Sequence, residues 1–335
     1  MVLENQIIDE PSSFTLLSGI VAEPTEWLWW PRIPLGELSV IDGDPATNKS
    51  LLTLDLAARV TTGREMPDGA SSCAGGVVLL VAEDSLGKTV RPRLEAANAD
   101  LARIAIPNGV ISVPNALAVI EHAAQQVEAK LIVIDPITAF LRNSNSDQSV
   151  RQALTPLRDL AERTNAAILI VRHLNKSGGQ HSLYRGSGSI GLIAATRSAL
   201  LAAHDPRDPK DHNLRVLCHV KNNLGPRAPG LSYEPMTAEN GNVMIEWRGE
   251  IDYRPEDLLA PPKDRNRRLH DAQAFLLKIL ADGPIEQQKV KTMATDVGFA
   301  WRTIERAKEV LEIVSRRQGW GPGSKCVWEI DADGA

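Results

Sequence analysis

Eight consecutive residues carry the densest chemical signal in the chain: Gly43-Asp44-Pro45-Ala46-Thr47-Asn48-Lys49-Ser50. They follow a short apolar run, Leu38-Ser39-Val40-Ile41. They lead into Leu51 to Thr61, where Leu52, Leu56 and Val60 recur at helical spacing. The segment fits the phosphate-loop pattern Gly-x4-Gly-Lys-Ser/Thr, except that Asn48 stands at the second glycine. A strand–loop–helix junction of this kind turns backbone N–H groups and a helix N-terminus toward a polyphosphate. Gly43 through Leu51 would form the cradle. Lys49 would reach the β- and γ-phosphates, and the Ser50 hydroxyl would bind Mg²⁺. Asparagine is the non-glycine residue that best tolerates the left-handed backbone, so the substitution weakens the motif without destroying it. The competing reading is an ordinary strand–turn–helix junction.

Two carboxylates extend the pattern. Leu131-Ile132-Val133-Ile134-Asp135 is an apolar strand ending in an acid, and Asp135 would hold the Mg²⁺ shell. Val77 to Val81 is a second apolar strand, followed by Ala82-Glu83-Asp84-Ser85. Glu83, at the tip of a neighbouring strand, would orient an attacking water. A turn cap at Pro136 and a solvated surface acid are the plainer readings of these two residues. All three elements together point to nucleotide binding, with ATP and Mg²⁺ as the expected ligands.

Further landmarks fall in a fixed order: Arg172-His173-Leu174-Asn175-Lys176-Ser177, then Val220-Lys221-Asn222-Asn223-Leu224-Gly225-Pro226. Ile33-Pro34-Leu35-Gly36-Glu37-Leu38 precedes the first core strand. With these the sequence resembles the RecA-like P-loop ATPases of the AAA family, in the RepA-type branch of hexameric helicases related to DnaB. The likeness covers roughly residues 27–246. It implies that Glu83 is the catalytic carboxylate and that His173 senses the γ-phosphate. It also implies that the loop from Leu174 to Ile190 lines a central channel and touches single-stranded DNA. There Lys176 and Arg185 would meet phosphates and Tyr184 would stack on a base; an irregular crossover without a ligand is the alternative. The branch supplies a Lys-x-Arg pair to the neighbouring subunit's nucleotide. Here that stretch reads Lys221-Asn222-Asn223, so Lys221 can act in trans but the finger arginine is absent, and Arg197 or Arg207 would have to replace it. An arginine finger is worth roughly 10³–10⁵ in rate, so the gap bears directly on turnover.

The elements that must position these groups read as alternating strand and helix. Strands without polar alternation, separated by helices at Leu117 to Glu128 and Val150 to Arg163, indicate a mostly parallel sheet covered on both faces. Ala167 to Val171, Ser198 to Ala202 and Leu214 to Val220 extend it. The expected organisation is an N-terminal arm over residues 1–34, a RecA-like domain over 35–253, a linker over 254–269 and a small domain over 270–330. Trp27, Trp29 and Trp30 would pin the arm by aromatic burial, or offer a stacking platform for nucleic acid. The last domain reads helix (His270 to Leu280), helix (Ile285 to Val297), helix (Trp301 to Leu311), then a glycine-rich hairpin. This resembles a winged helix-turn-helix. Arg302, Thr303, Arg306 and Lys308 would face duplex DNA, and Arg316 and Arg317 would contact its backbone. Glu305, Glu309 and Glu312 favour a protein partner for the same face, such as a replication protein.

Composition narrows the rest. The 335 residues carry 37 basic and 42 acidic side chains, net −5, which excludes a uniformly basic nucleic-acid coat. The charge is uneven: residues 263–320 hold 12 basic and 8 acidic residues. Cys73, Cys218 and Cys326 lie far apart, so neither a disulfide framework nor a structural zinc site is expected. No basic leader and no apolar run of membrane length is present, and a cytoplasmic protein without membrane contact is the expectation. The functional expectation is Mg²⁺-dependent ATP hydrolysis coupled to DNA by a homo-hexameric ring helicase of a plasmid, phage or other mobile element. A low-turnover nucleotide-dependent regulator or DNA-binding adaptor is the alternative, and a small-molecule kinase is a third.

Overall fold

The structure, a computed structural model, describes residues 16–109, 111–141, 147–173, 189–206, 213–253, 258, 267–281, 283–319 and 324–330. The chain divides into two compact units, Met1–Leu259 and Ala260–Ala335. Lys176, Tyr184, Arg185 and Arg207 lie outside the described residues. So do most of the expected linker, the start of the N-terminal arm and Trp320 to Gly323 in the hairpin.

In the first unit a hairpin of β1 (Trp27–Trp29) and β2 (Ile33–Pro34) precedes the core. Then come β3 (Leu38–Gly43), α1 (Lys49–Thr62), β4 (Gly76–Val81), α2 (Arg91–Ala96), β5 (Ile104–Ala105), α3 (Leu117–Gln126), β6 (Ala129–Asp135) and α4 (Ile137–Phe140). They are followed by α5 (Asp147–Thr164), β7 (Ala167–His173), α6 (Ser189–Ala195), β8 (Ser198–His204), β9 (Arg215–Asn222), β10 (Gly230–Thr237) and β11 (Val243–Ile251). β3 to β11 form one sheet in the order β11-β10-β9-β8-β3-β7-β6-β4-β5. From β8 to β5 neighbouring strands run parallel; β9, β10 and β11 add an antiparallel edge. This is an α/β fold with a RecA-like P-loop core.

Both faces of the parallel part of the sheet are dry, which is why β4, β6 and β7 are aliphatic along most of their length rather than at alternate positions. Ile41, Leu79, Val133 and Leu169 pack with α1, α2 and the N-terminal hairpin. Val40, Leu80, Ile132 and Ile170 face the other way, onto α3 and α5. Three buried or half-buried aromatics join the hairpin to the antiparallel edge. Trp29 meets Trp247 edge-on at 6.3 Å, and Trp247 lies 5.4 Å from Tyr233. The Trp29 indole N–H donates to Asp68 Oδ1 at 2.9 Å. The Arg32 guanidinium sits 4.7 Å over the same indole and pairs with Asp68. Trp29 therefore belongs to the core, whereas Trp30 is exposed.

The second unit has its own core around Ala272, Leu276, Val290, Ile304, Ala307 and Trp328. It comprises α7 (Arg267–Leu280), β12 (Ile285–Glu286), α8 (Gln287–Asp296), α9 (Trp301–Val310), β13 (Val314–Gln318) and β14 (Lys325–Glu329). The second helix begins two residues later than its apolar pattern predicts. Ile285 and Glu286 pair instead with Trp328 and Val327 and make a third strand, in the order β12-β14-β13. Pairing with a strand some forty residues away overrides local helical spacing here.

Trp29 is completely buried, so Trp29→Ala is expected to cost roughly 3–5 kcal/mol, as large aromatic truncations in packed cores do. Urea denaturation checks this, and a loss below about 1 kcal/mol would show that the hairpin is not part of the core.

Candidate functional site

β3, β7, β6 and β4 are neighbours in the sheet and run parallel, so their carboxyl ends open on one edge. Each delivers a group named from the sequence. β3 feeds the Gly43–Ser50 loop, β7 ends at His173, β6 ends at Asp135, and β4 is followed by Glu83 and Asp84. Lys49, Ser50, Glu83, Asp135 and His173 line one cavity of about 230 Å³ together with Ala46, Asn48, Leu51, Val81, Asp84 and Arg93. The carboxyl edge of an open α/β sheet is where ligands bind in this architecture.

The loop is held by its surroundings. A Cβ on Gly43 would sit 2.3 Å from the Ala202 carbonyl oxygen of β8, so only glycine fits where β3 ends against β8. Ala46 and Asn48 both adopt positive φ, 66° and 61°. Asn48 thus occupies the left-handed conformation that the pattern's second glycine would supply. The strain at Ala46 leaves no mark in the sequence. Tyr233 on β10 donates to the Thr47 carbonyl at 2.6 Å, and Arg215 on β9 donates to the Ala46 carbonyl at 3.2 Å. Thr47 Oγ1 closes the turn onto the Asp44 carbonyl at 2.8 Å.

The Lys49 ammonium folds back onto its own loop and donates to the carbonyls of Gly43 and Asp44, both at 2.8 Å. Burial lowers its pKa to about 8, against the pull of Asp135, Asp44, Asp42 and Glu83. Burial likewise pushes Asp135 up to about 6, although the Ser50 hydroxyl donates a hydrogen bond to it; the nearby Glu83 adds to the rise. The Ser50 and Asp135 oxygens are the pair expected to share a metal shell. Among the described residues no group of three or more His, Cys, Asp or Glu side chains could hold a metal ion alone. α1 begins at Lys49, so its first N–H groups have no acceptor within the helix and point at the same place.

His173 Nε2 lies 4.0 Å from Glu83 Oε2, while His173 Nδ1 is buried without a hydrogen-bond partner among the described residues. Burial and the Lys49 charge lower its pKa, so the imidazole is neutral at pH 7. Arg93, which sequence reading did not single out, reaches the cavity from α2 and pairs with Asp84 at 3.0 Å. Only its position ten residues after Glu83, on a short helix, could have signalled it.

The remaining expected site residues sit elsewhere. The Lys221 ammonium donates to the carbonyls of Ile193 and Thr196, both at 2.6 Å, and so caps the end of α6 in its own chain. Arg197 is partly exposed, 3.5 Å from Glu37. Neither lines the phosphate-loop cavity. In the second unit Arg302 and Arg306 are exposed on α9, while Lys308 lies 5.0 Å over the Trp328 ring instead of reaching outward. Arg316 and Arg317 are exposed on β13, paired with Glu329 at 2.5 Å and with Ser324 Oγ at 2.8 Å.

The pKa shifts set a pH dependence. In the folded chain Asp135 keeps a proton that the unfolded chain releases near 3.8, so its contribution to stability falls as pH rises from about 4 to about 6. Lys49 loses its proton near 8 in the folded chain and near 10.5 in the unfolded one, so its contribution rises with pH across that window. Metal binding is assigned from the sequence to the Asp135 carboxylate and phosphate binding to the Lys49 ammonium. Mg²⁺-dependent nucleotide affinity is therefore expected to rise through pH 6 and decline above pH 8. Fluorescence titration of a labelled nucleotide checks this: Asp135→Asn should abolish the acid limb, and an unchanged limb would exclude Asp135 as its source.

No helix among the described residues is long and apolar enough to cross a membrane. Residues 10–179, half of the chain, match the family model described as an AAA domain.

Proposed function

We propose that this chain, which belongs to the AAA-domain family, is a Mg²⁺-dependent ATPase coupled to DNA, a RepA-like ring helicase serving replication of a mobile element. One observation carries the catalytic part: Lys49, Ser50, Glu83, Asp135 and His173, brought from four strand ends, share one cavity. In this reading Lys49 leaves the loop carbonyls for the β- and γ-phosphates, and the loop N–H groups wrap the same oxygens. Ser50 and Asp135 hold Mg²⁺, which when bound neutralises charge on the phosphate oxygens. Glu83 accepts a hydrogen bond from the attacking water and aligns it. His173, 4.0 Å from that carboxylate, senses the γ-phosphate and passes its state to the loop that starts at Leu174. Arg93 adds a cation to the same cavity from within the subunit.

The DNA part rests on the resemblance and on the second unit. A helix, a short strand, two helices and a two-stranded hairpin, in this order, fit a winged helix-turn-helix. Arg302, Arg306, Arg316 and Arg317 are exposed there, but Glu305 and Glu309 interleave with them on α9. Such a mixed face limits phosphate contacts to the arginines between the acids and suits a protein partner better than a dense basic stripe would. A low-turnover nucleotide-dependent regulator is the second reading. It is favoured by Lys221, whose ammonium is engaged by its own chain, and by Asn223 in the place of the finger arginine.

Under the helicase reading, single-stranded DNA stimulates ATP hydrolysis, and the mass in the presence of ATP is that of a ring. Glu83→Gln is expected to lower kcat by roughly 10²–10⁴ while leaving nucleotide affinity nearly intact. A Glu83→Gln protein hydrolysing at the parent rate would remove that residue from catalysis. An unstimulated monomer would favour the regulator. Arg316→Ala with Arg317→Ala should weaken duplex binding alike for all sequences and flatten its salt dependence by about two phosphate contacts. An unchanged salt slope would favour a protein partner.

A further inference from the structure

The last two register pairs between β3 and β7 are Asp42↔Arg172 and Gly43↔His173. The second pair belongs to the site. The first is a bidentate ion pair: Arg172 Nε donates to Asp42 Oδ1 at 2.7 Å and Nη2 donates to Oδ2 at 2.5 Å. Both side chains are sealed from solvent, 1% and 4% exposed. Elsewhere along this strand pair the partners are mostly aliphatic: Leu38↔Ile168, Val40↔Ile170 and Ile41↔Val171. A charge pair in so dry a place is not explained by stability. Replacing such a pair with packed apolar residues is often neutral or stabilising, because desolvating two ions consumes most of their attraction.

Its position supplies a reason. Asp42 is joined covalently to Gly43, whose carbonyl accepts from Lys49 at 2.8 Å. Arg172 is joined covalently to His173, 4.0 Å from Glu83. A planar two-pronged contact fixes distance and angle between the side chains at the strand ends, which non-directional aliphatic contacts do not. We infer that Asp42 and Arg172 are positioning residues that lock the phosphate-loop strand to the sensor strand, so that γ-phosphate contact at Lys49 and at His173 is one event. The inference rests on the reading of His173 as the γ-phosphate sensor. It adds that the sensor works through a buried ion pair outside the cavity.

A double-mutant cycle tests it, using full-length protein, the pair variant Asp42→Leu/Arg172→Met, His173→Ala, and their combination. The pair variant should keep the unfolding midpoint and the ADP affinity of the parent. Its kcat should fall by the same factor as in His173→Ala, roughly fivefold or more, and the combination should fall no further. A pair variant with parental kcat, or a loss that multiplies with that of His173→Ala, overturns the inference in favour of a structural role. Arg172→Lys, which keeps the charge but not the fork, covers the case in which the pair variant does not fold: it should lower kcat at an unchanged midpoint, and parental kcat in it also overturns the inference. If the parent protein binds nucleotide without hydrolysing it, the catalytic reading fails separately. The cycle is then read as the affinity ratio of a non-hydrolysable ATP analogue to ADP. The pair variant and His173→Ala should reduce this ratio equally, and an undiminished ratio in the pair variant overturns the inference.

Discussion

In a parallel sheet, neighbouring strands end on the same edge, and β3, β7, β6 and β4 all deliver polar groups there. Register fixes the level at which each one arrives. Gly43 stands opposite His173 and Val81 opposite Asp135, so the phosphate loop, the imidazole and the carboxylates meet without long loops to carry them. The aliphatic body of each strand buries both faces and makes slippage costly, and this converts a hydrophobic pattern into an accurate placement of charges.

That placement has an electrostatic cost, concentrated where the ligand would sit. Lys49 and Asp135 are both buried, and burial moves each toward its neutral form. The loop carbonyls around Lys49 and the Ser50 hydroxyl beside Asp135 offset part of this. His173 Nδ1 stays buried without a hydrogen-bond partner among the described residues. Support comes from beyond the motif: Tyr233 and Arg215, from the antiparallel edge, hold the carbonyls of Thr47 and Ala46. The edge strands thus stiffen the loop, and the aromatic contact of Trp29 with Trp247 ties the N-terminal hairpin to the same strands.

The second unit uses a different economy. Its apolar centre is small, and two stacked tryptophans, Trp301 and Trp328 at 5.3 Å, carry much of the packing. Lys291 and Lys308 lie over the faces of these rings, at 5.7 and 5.0 Å from the ring centres. Exposed arginines on α9 and β13 stand beside exposed lysines such as Lys289 and Lys291 as the cations open to a partner.

The motif residues were legible because their chemistry is local. A glycine, a lysine and a hydroxyl at fixed spacing between a strand and a helix can be recognised without knowing the sheet. The acids at the tips of apolar strands can be recognised for the same reason. Asn48 could be read as a left-handed residue from its side chain alone, and the structure gives it φ 61°. The second unit's short strand at Ile285 was not legible, because helical spacing there competes with a pairing to Trp328 that only tertiary contact creates. Arg93, the Asp42–Arg172 pair and the Lys221 contacts were invisible for the same reason: each depends on a partner supplied by another element. Sequence determined the parallel core strands and their helices, the phosphate loop and the identity of the catalytic candidates, since these follow from periodicity and residue chemistry. Tertiary structure decided which charges face the cavity, which are buried in pairs and which cap a helix, since a side chain's charge is available only where no neighbour has already engaged it.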